Sequence, residues 1–377
     1  MSKTLSINKA SLTLERLNAI CPYFTMFPLP VPLKRLSKAP REDWVLDPFC
    51  GRGTTNYAAR LLGIKSVGID SNPVAAAIAE GKMVSVLAEE ISNECISILE
   101  NSPKVTPPEG EFWSFCYHNC TLRDLSTLRA ELMKDAQSPQ RKALRALILG
   151  LLHGPRNKGL PSYLSNQMPR TYASKPDYSV RYWKKHGMKP VYIDLVELVK
   201  RKAAYYFTSE QSNVPYYVFC GDSRTLNLID LGVRFSSVIT SPPYYGMRTY
   251  VPDQWLRYWF LGGPENVFYK HELQLSHKSP SEFSAQLAGV WENVARSCCP
   301  GSVFTIRFGG IHDRKANPKD IVLDSIHGAD CKLKVLTTRS AGLSTSGKRQ
   351  ADQFKREMKK PLEEFDFFVR LEEPYNG

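Results

Sequence analysis

Two short stretches of this 377-residue chain carry residue types at spacings that could do chemistry. The first is Asp47-Pro48-Phe49-Cys50-Gly51-Arg52-Gly53-Thr54-Thr55, which follows an apolar run and precedes a helical pattern. Glycines at 51 and 53 let backbone approach a ligand at a strand-to-helix turn. Such turns lie at the carboxyl ends of strands, where open α/β sheets bind ligands. The GxxxxGK[ST] phosphate loop is absent, and GRGTTN lacks the third glycine of the dinucleotide fingerprint. Asp70, closing the next apolar run, suits two ribose hydroxyls and would repel a phosphate. Together these residues point to a nucleoside-like cofactor with no phosphate near the turn. The simpler alternative is a tight turn with Asp70 or Asn72 capping a helix.

The second stretch is Ser241-Pro242-Pro243-Tyr244, followed by Tyr245 and Gly246. The prolines stiffen the backbone, the serine hydroxyl and the Pro242 carbonyl are hydrogen-bond acceptors, and tyrosine offers a flat face. The alternative is a rigid turn with surface tyrosines.

The elements that must position these stretches read as an α/β pattern. WVLD (44–47) and SVGID (66–70) are buried strands flanking a helix through NYAARLLG, with Gly63 as its stop. AAAIAEGKMVSVLAEE reads as the next helix. Strand patterns return at 216–222, 236–240 and 301–309, with a helix over 282–299. CKLKVLTTRS and EEFDFFVRLEE close the chain as two strands. Seven strands, the first five alternating with helices, predict a doubly wound sheet. An amphipathic helix is expected at 4–20, and the prolines at 22, 28, 30 and 32 delay the next helix to about Leu33. Between 101 and 214 the grammar changes. Helical patterns at 121–134, 141–153 and 192–207 surround a breaker-rich aromatic stretch, 154–187. The expected organisation is therefore 1–100, an insert at 101–214, and 215–377.

Composition is globular, with 42% hydrophobic and 23% charged residues. The longest apolar stretch is too short for a bilayer and the first residues lack a secretory apolar core, so no membrane role is expected and a cytoplasmic setting is. The net charge of +13 favours a polyanionic partner. Residues 101–210 hold eighteen Lys and Arg against nine Asp and Glu, most of that excess. Nine scattered cysteines argue for a reducing interior. Cys116, His118 and Cys120 lack a partner pair for a zinc site, so no metal is expected.

The stretch 47–55 resembles motif I of the S-adenosylmethionine-dependent DNA amino-methyltransferases, and Ser241-Pro242-Pro243-Tyr244 resembles their motif IV in its cytosine-N4 form. Tyr23-Phe24-Thr25-Met26-Phe27-Pro28 is similar to motif X, and Gly221-Asp222 to motif III. The resemblance covers about three fifths of the chain. It implies a class I methyltransferase (Rossmann-like) sheet with an antiparallel C-terminal strand pair, and S-adenosylmethionine as cofactor. Asp47 would hold the cofactor's ammonium and the Gly51, Gly53, Thr54 and Thr55 turn its carboxylate. Asp70 would take the ribose and Asp222 the adenine amine, with Phe24, Thr25, Phe27 and Phe49 lining the pocket.

An exocyclic amine on a base is a poor nucleophile because its lone pair is conjugated into the ring. Acceptors at Ser241 and Pro242 would draw its protons out of plane, while Tyr244 stacks on an extruded base. Tyr245 or Trp255 could share that stacking. A cytosine-C5 enzyme would need a Pro-Cys thiolate; only the reversed Cys299-Pro300 occurs. The basic insert offers Arg156, Lys158, Asn166, Gln167, Arg170, Lys184 and Lys185 for phosphates and base edges of double-stranded DNA, interleaved with Tyr163, Tyr172, Tyr178, Tyr182 and Trp183. The resemblance further implies a prokaryotic restriction-modification or defence setting with cognate proteins. Alternatives are an adenine-N6 DNA methyltransferase, an RNA base methyltransferase, and a silent DNA-binding protein that retains a cofactor pocket. The order here is X, I, II, insert, III, IV, so the large insert precedes motif III.

Overall fold

The computed structural model describes residues 16–23, 28–154, 159–166, 175–208, 212–246, 251–267, 274–310, 316–343 and 363–373. The chain divides into two units: a helical one of 1–23, 80–213 and 250–270, and a sheet unit of 24–79, 214–249 and 271–377.

The sheet unit contains β1 (Trp44–Asp47), β2 (Lys65–Asp70), β3 (Tyr216–Cys220), β4 (Phe235–Thr240), β5 (Cys298–Gly309), β6 (Lys332–Leu343) and β7 (Glu363–Glu373). Their order is β3-β2-β1-β4-β5-β7-β6. The β1, β2, β3, β4 and β5 neighbours pair in parallel, and β7 runs antiparallel to both β5 and β6. Thus β7 alone is reversed, wedged between β5 and β6. Buried strands read as near-continuous apolar runs because both faces of a parallel sheet are covered. Leu46, Val67, Ile69, Val238, Phe304 and Ile306 are all buried in one core with Phe283 and Trp291 of the helix Pro280–Ala295. Trp291 Nε1 donates to Ser325 Oγ at 3.0 Å and so satisfies its one polar atom.

The helix Thr54–Leu62 ends at Gly63, whose left-handed backbone (φ 74°) returns its N–H to the Ala59 and Arg60 carbonyls, as the sequence predicts. Other helices depart from expectation. The pattern 75–90 is not one helix: Pro73–Gly81 ends, and Ala88–Asn101 begins afresh. The restart is fixed by Glu90, whose carboxylate accepts the Leu87 N–H at 2.7 Å, an N-terminal donor that helix geometry leaves orphaned. The stretch 154–187, expected to be irregular, holds the helix Pro176–Lys185, with proline where a first-turn N–H has no partner to lose. A further helix, Pro318–His327, stands between β5 and β6 and was not expected.

The helical unit is organised around aromatic side chains. Trp113, Trp183, Trp255 and Trp259 are buried together, with Phe112 packed edge-on to Trp113 and Trp255. Buried Arg257 donates through Nε to Leu149 O at 3.0 Å and through a terminal nitrogen to Gln254 Oε1 at 2.6 Å, and half-buried Arg129 donates through Nε to Trp259 O at 2.6 Å. Among the described residues no helix is long and apolar enough to cross a membrane.

Candidate active site

The carboxyl ends of β1 and β4 bring the two sequence stretches to one edge of the sheet. These strands are neighbours, with Leu46 opposite Val238. Past that register Thr240 Oγ1 donates to Asp47 Oδ1 at 2.7 Å, and Thr55 Oγ1 donates to Ile239 O at 3.2 Å. The glycine turn and the Ser-Pro-Pro-Tyr turn therefore leave adjacent strands on the same side and are tied at their roots.

Asp47 is 3% exposed. Besides Thr240 it accepts the Phe49 N–H at 3.1 Å. Burial pushes its carboxyl up to about 6; hydrogen bonds from Thr240 and the Phe49 N–H and the nearby Thr55 hydroxyl dipole oppose that rise, and the Asp70 charge adds to it. Asp70, half-buried at the end of β2, accepts the Gly51 N–H at 2.9 Å and the Asn72 N–H at 2.8 Å. It too is raised to about 6, by desolvation that the two N–H bonds only partly offset. Asp70 thus caps its own turn and also pins the glycine turn. Gly51 and Gly53 have φ of 52° and 70°, a region that L side chains enter only at a cost. A side chain at Gly53 would also meet Ala79 Cβ at 2.6 Å, whereas one at Gly51 would meet nothing within 4 Å. One glycine serves packing; the other faces open space. Thr54 and Thr55 are buried at the start of the helix, and Phe49 packs edge-on against Trp291.

Asp222 sits past β3, where Gly221 N donates to Asp70 O at 3.0 Å. Burial would raise its carboxyl, but Arg224 overrides this and holds it below the usual value, with Arg224 Nε at 2.9 and 3.0 Å from its two oxygens. Ser223 donates its hydroxyl to Pro48 O, joining this loop to the glycine turn; that contact has no sequence signal, since it spans 175 residues.

In the second turn, Ser241, Pro243 and Tyr244 are half-buried and Pro242 is buried. Tyr244 donates its hydroxyl to Glu364 Oε1 at 3.0 Å and sets its ring edge-on to Phe308. Tyr245 is 6% exposed, packed on Phe283 and His277, and Trp255 is fully buried against Phe112 and Trp113. Both are core residues, so neither is a stacking partner for a base. Sequence reasoning missed Glu364, Arg307 and Asp366. Arg307, in the apolar run of β5, forms a two-pronged bond to Asp366 at 2.7 and 2.9 Å. An arginine inside a buried strand demands such a partner, and that was the available signal.

Phe24, Thr25 and Phe27 lie outside the described residues, as do Arg156, Lys158, Gln167 and Arg170. Asn166 is buried, and its amide donates to Phe115 O at 3.0 Å and Met188 O at 3.4 Å; a base contact there would need those bonds broken. Lys184 and Lys185 are exposed at the end of the helix Pro176–Lys185, with Lys184 paired to Glu111. Trp183 is a core residue, while Tyr178 is exposed. Cys116 is buried, and His118 accepts the Cys120 N–H through Nδ1 as a helix cap.

A sheet ordered β3-β2-β1-β4-β5-β7-β6 with β7 reversed, and with its glycine turn at the end of β1, is the class I methyltransferase fold. Residues 18–81 match a family model described as DNA methylase. The type II methyltransferase M.BsoBI of Geobacillus stearothermophilus is 41% identical over 65 residues, which is 17% of this chain and 13% of that protein. The chain thus spans about an eighth of the curated relative's length. Among solved structures, the rRNA methyltransferase aviRa from Streptomyces viridochromogenes has 12% identity and a TM-score of 0.37, covering 96% of this chain and 93% of that one. A SAM-dependent methyltransferase from Methanosarcina mazei has 11% identity and a TM-score of 0.34, covering 92% and 98%. Likenesses of that size add nothing to what the strand order already establishes.

Proposed function

We propose that this chain is an S-adenosylmethionine-dependent DNA methyltransferase that modifies an exocyclic base amine, the N4 amine of cytosine. The observation that carries the reading is the rooting of both turns at one sheet edge, through the Thr240–Asp47 hydrogen bond across adjacent strands.

The residues present fit the cofactor. Asp47 and Asp70 are desolvated carboxylates whose mapped partners are hydroxyls and backbone N–H groups, so a bound ammonium and a ribose diol would complete them. Gly51 leaves open space at the turn where a carboxylate would meet backbone N–H groups. Thr54, Thr55 and Phe49 line the same turn, and Asp222 would take the adenine amine beside its bond to Arg224. Phe24, Thr25 and Phe27 complete the pocket in this reading. When bound, the group supplies a methyl activated by sulfonium. The protein's task is then alignment. Ser241 Oγ and the Pro242 carbonyl accept hydrogen bonds from the two amine N–H groups, Pro242 and Pro243 keep those acceptors aimed, and Tyr244 supports the base once it leaves the stack.

Lys184 and Lys185, with Arg156, Lys158, Gln167 and Arg170, form the proposed DNA-facing set, and residues 101–214 act as the recognition region. A prokaryotic, cytoplasmic setting with a cognate restriction or defence protein belongs to the same proposal, which the similarity to a bacterial type II methyltransferase over 65 residues prompts. The test is to incubate the protein with labelled cofactor and DNA, then separate the nucleosides by mass spectrometry. N4-methylcytosine is expected. N6-methyladenine alone would move the assignment to adenine, label in RNA only would move it to RNA, and no transfer with DNA retained would leave a silent binder. Ser241→Ala should lower turnover at unchanged cofactor affinity; equal loss of both would make Ser241 structural.

A further inference from the structure

We infer that Glu364 is a positioning residue for Tyr244, setting the ring on which the target base rests; this depends on the function proposed above. Glu364 is 6% exposed near the start of β7, opposite Gly309 of β5. Its Oε1 accepts the Tyr244 hydroxyl at 3.0 Å across 120 residues of chain. The ring is bounded on other sides as well. Phe308 meets it edge-on with centroids 5.3 Å apart, and any side chain at Gly309 would come within 3.0 Å of it. Gly309 is therefore the position that gives the ring its room.

A polar side chain this deeply buried needs a reason to stay put. Two residues further along β7, Asp366 holds Arg307 in a two-pronged pair, and both side chains are about 10% exposed. Arg307 and Asp366 are directly opposite in the β5–β7 register, so the pair fixes the strands on which Gly309 and Glu364 face each other. The Arg307 charge also feels Glu364 and Tyr244 as neighbours. A planar guanidinium held at both prongs is a rigid local charge. Arg307 thus anchors the strand from which Glu364 reaches the Tyr244 hydroxyl. A tyrosine needed only as a flat surface could be phenylalanine; here the hydroxyl has a built partner, and the ring's angle follows from it.

The experiment uses full-length protein, DNA and labelled cofactor, with kcat, KM and cofactor affinity measured for Tyr244→Phe, Glu364→Ala, Glu364→Gln and the double variant Tyr244→Phe/Glu364→Ala. Tyr244→Phe and Glu364→Ala should each lower kcat about 10- to 100-fold, the range for a hydrogen bond to a charged group, at unchanged cofactor affinity. The double variant should be no worse than either single one, since both remove the same bond. Glu364→Gln keeps an acceptor oxygen and should recover most of the loss. A second readout is independent of turnover: the ¹⁹F resonance of 3-fluorotyrosine at 244 should show a slowly flipping ring in wild type and Glu364→Gln, and an averaged ring in Glu364→Ala. Wild-type kcat in Tyr244→Phe, multiplied losses in the double variant, or an unchanged ¹⁹F signal in Glu364→Ala would each overturn the inference. If wild type transfers no methyl to any nucleic acid, the functional reading fails by itself, and the ¹⁹F comparison still decides whether Glu364 holds Tyr244.

Discussion

Replacing either glycine of the first turn by alanine separates the packing of this loop from its ligand chemistry. Gly53→Ala places a side chain on backbone at φ 70° and drives its Cβ to 2.6 Å from Ala79 Cβ and 3.0 Å from Ala79 Cα. The left-handed conformation costs about 1–2 kcal/mol for alanine. Overpacking of a closed contact adds about 1–3 kcal/mol. Gly53→Ala should therefore lose about 2–5 kcal/mol, concentrated in the sheet unit. Gly51→Ala meets nothing within 4 Å, so only the conformational cost of about 1–2 kcal/mol applies. Its effect on S-adenosylmethionine should be the larger one, because the added methyl enters the space proposed for the cofactor's carboxylate end. Urea titration measures the stability of each variant, and amide exchange on peptides spanning 44–70 localises the change. Cofactor affinity is read by calorimetry. Ala79→Gly in the Gly53→Ala background should show a favourable coupling of about 1–3 kcal/mol in a double-mutant cycle, because it removes the closest clash while leaving the backbone strain. A coupling near zero would refute the packing argument. Wild-type affinity in Gly51→Ala would refute the assignment of the turn as the cofactor cradle.

Cofactor binding should weaken as pH falls below about 6. Asp47 and Asp70 are both raised to about 6 in the folded chain, so the stability they contribute is fully present below the ordinary value of 3.8 and is lost as pH rises through 6. Binding of an ammonium and a diol prefers the ionised acids, so below 6 the affinity should fall by up to about tenfold per pH unit for each proton that must leave; calorimetry from pH 5 to 8 giving a flat affinity would end this account. Thr240→Val removes the 2.7 Å bond to Asp47, which should push that carboxyl further up and weaken cofactor binding at pH 7 about 2- to 15-fold; unchanged affinity would show that Thr240 does not tune the acid. Lys185→Ala should flatten the salt dependence of DNA binding by about one unit of log–log slope if Lys185 meets a phosphate, and an unaltered slope would remove it from the interface. Lys184 is paired with Glu111, so Lys184→Ala should flatten it less.

The legible parts of this fold were those that local chemistry decides. Strands β1 and β7 appear at the residues the apolar runs mark, Trp44–Asp47 and Glu363–Glu373, and the glycine turn follows at once. What escaped needed a partner far along the chain. The helix Pro176–Lys185 hid because its prolines and tyrosines read as a loop, and Trp183 read as an aromatic waiting for a base. In the fold that tryptophan is core, paired with Phe112. Glu364 and Asp366 alternate along β7 with the apolar Phe365 and Phe367, so the strand's own pattern gives no sign that they are buried. Only the register that places β7 against β5 shows that this face is buried and faces Arg307.

The same logic explains why the acids of the candidate site cluster where they do. Asp47, Asp70 and Asp222 each end, or closely follow, a parallel strand, where the backbone stops pairing with its neighbours and N–H groups turn toward the crevice. Asp47 and Asp70 use those N–H groups as partners, at Phe49 and at Gly51 and Asn72. Asp222 differs, because a charge from its own loop, Arg224, holds it ionised. Two acids poised near neutrality and one held firmly ionised are suited to different ligand groups. The poised pair gains most from a cation or from hydroxyl donors, because either restores the solvation that burial removed. The ionised third already has its cation and needs only a neutral donor such as an amine. A single ligand carrying an ammonium, a diol and a neutral amine in that order would satisfy all three acids without adding a buried charge of like sign.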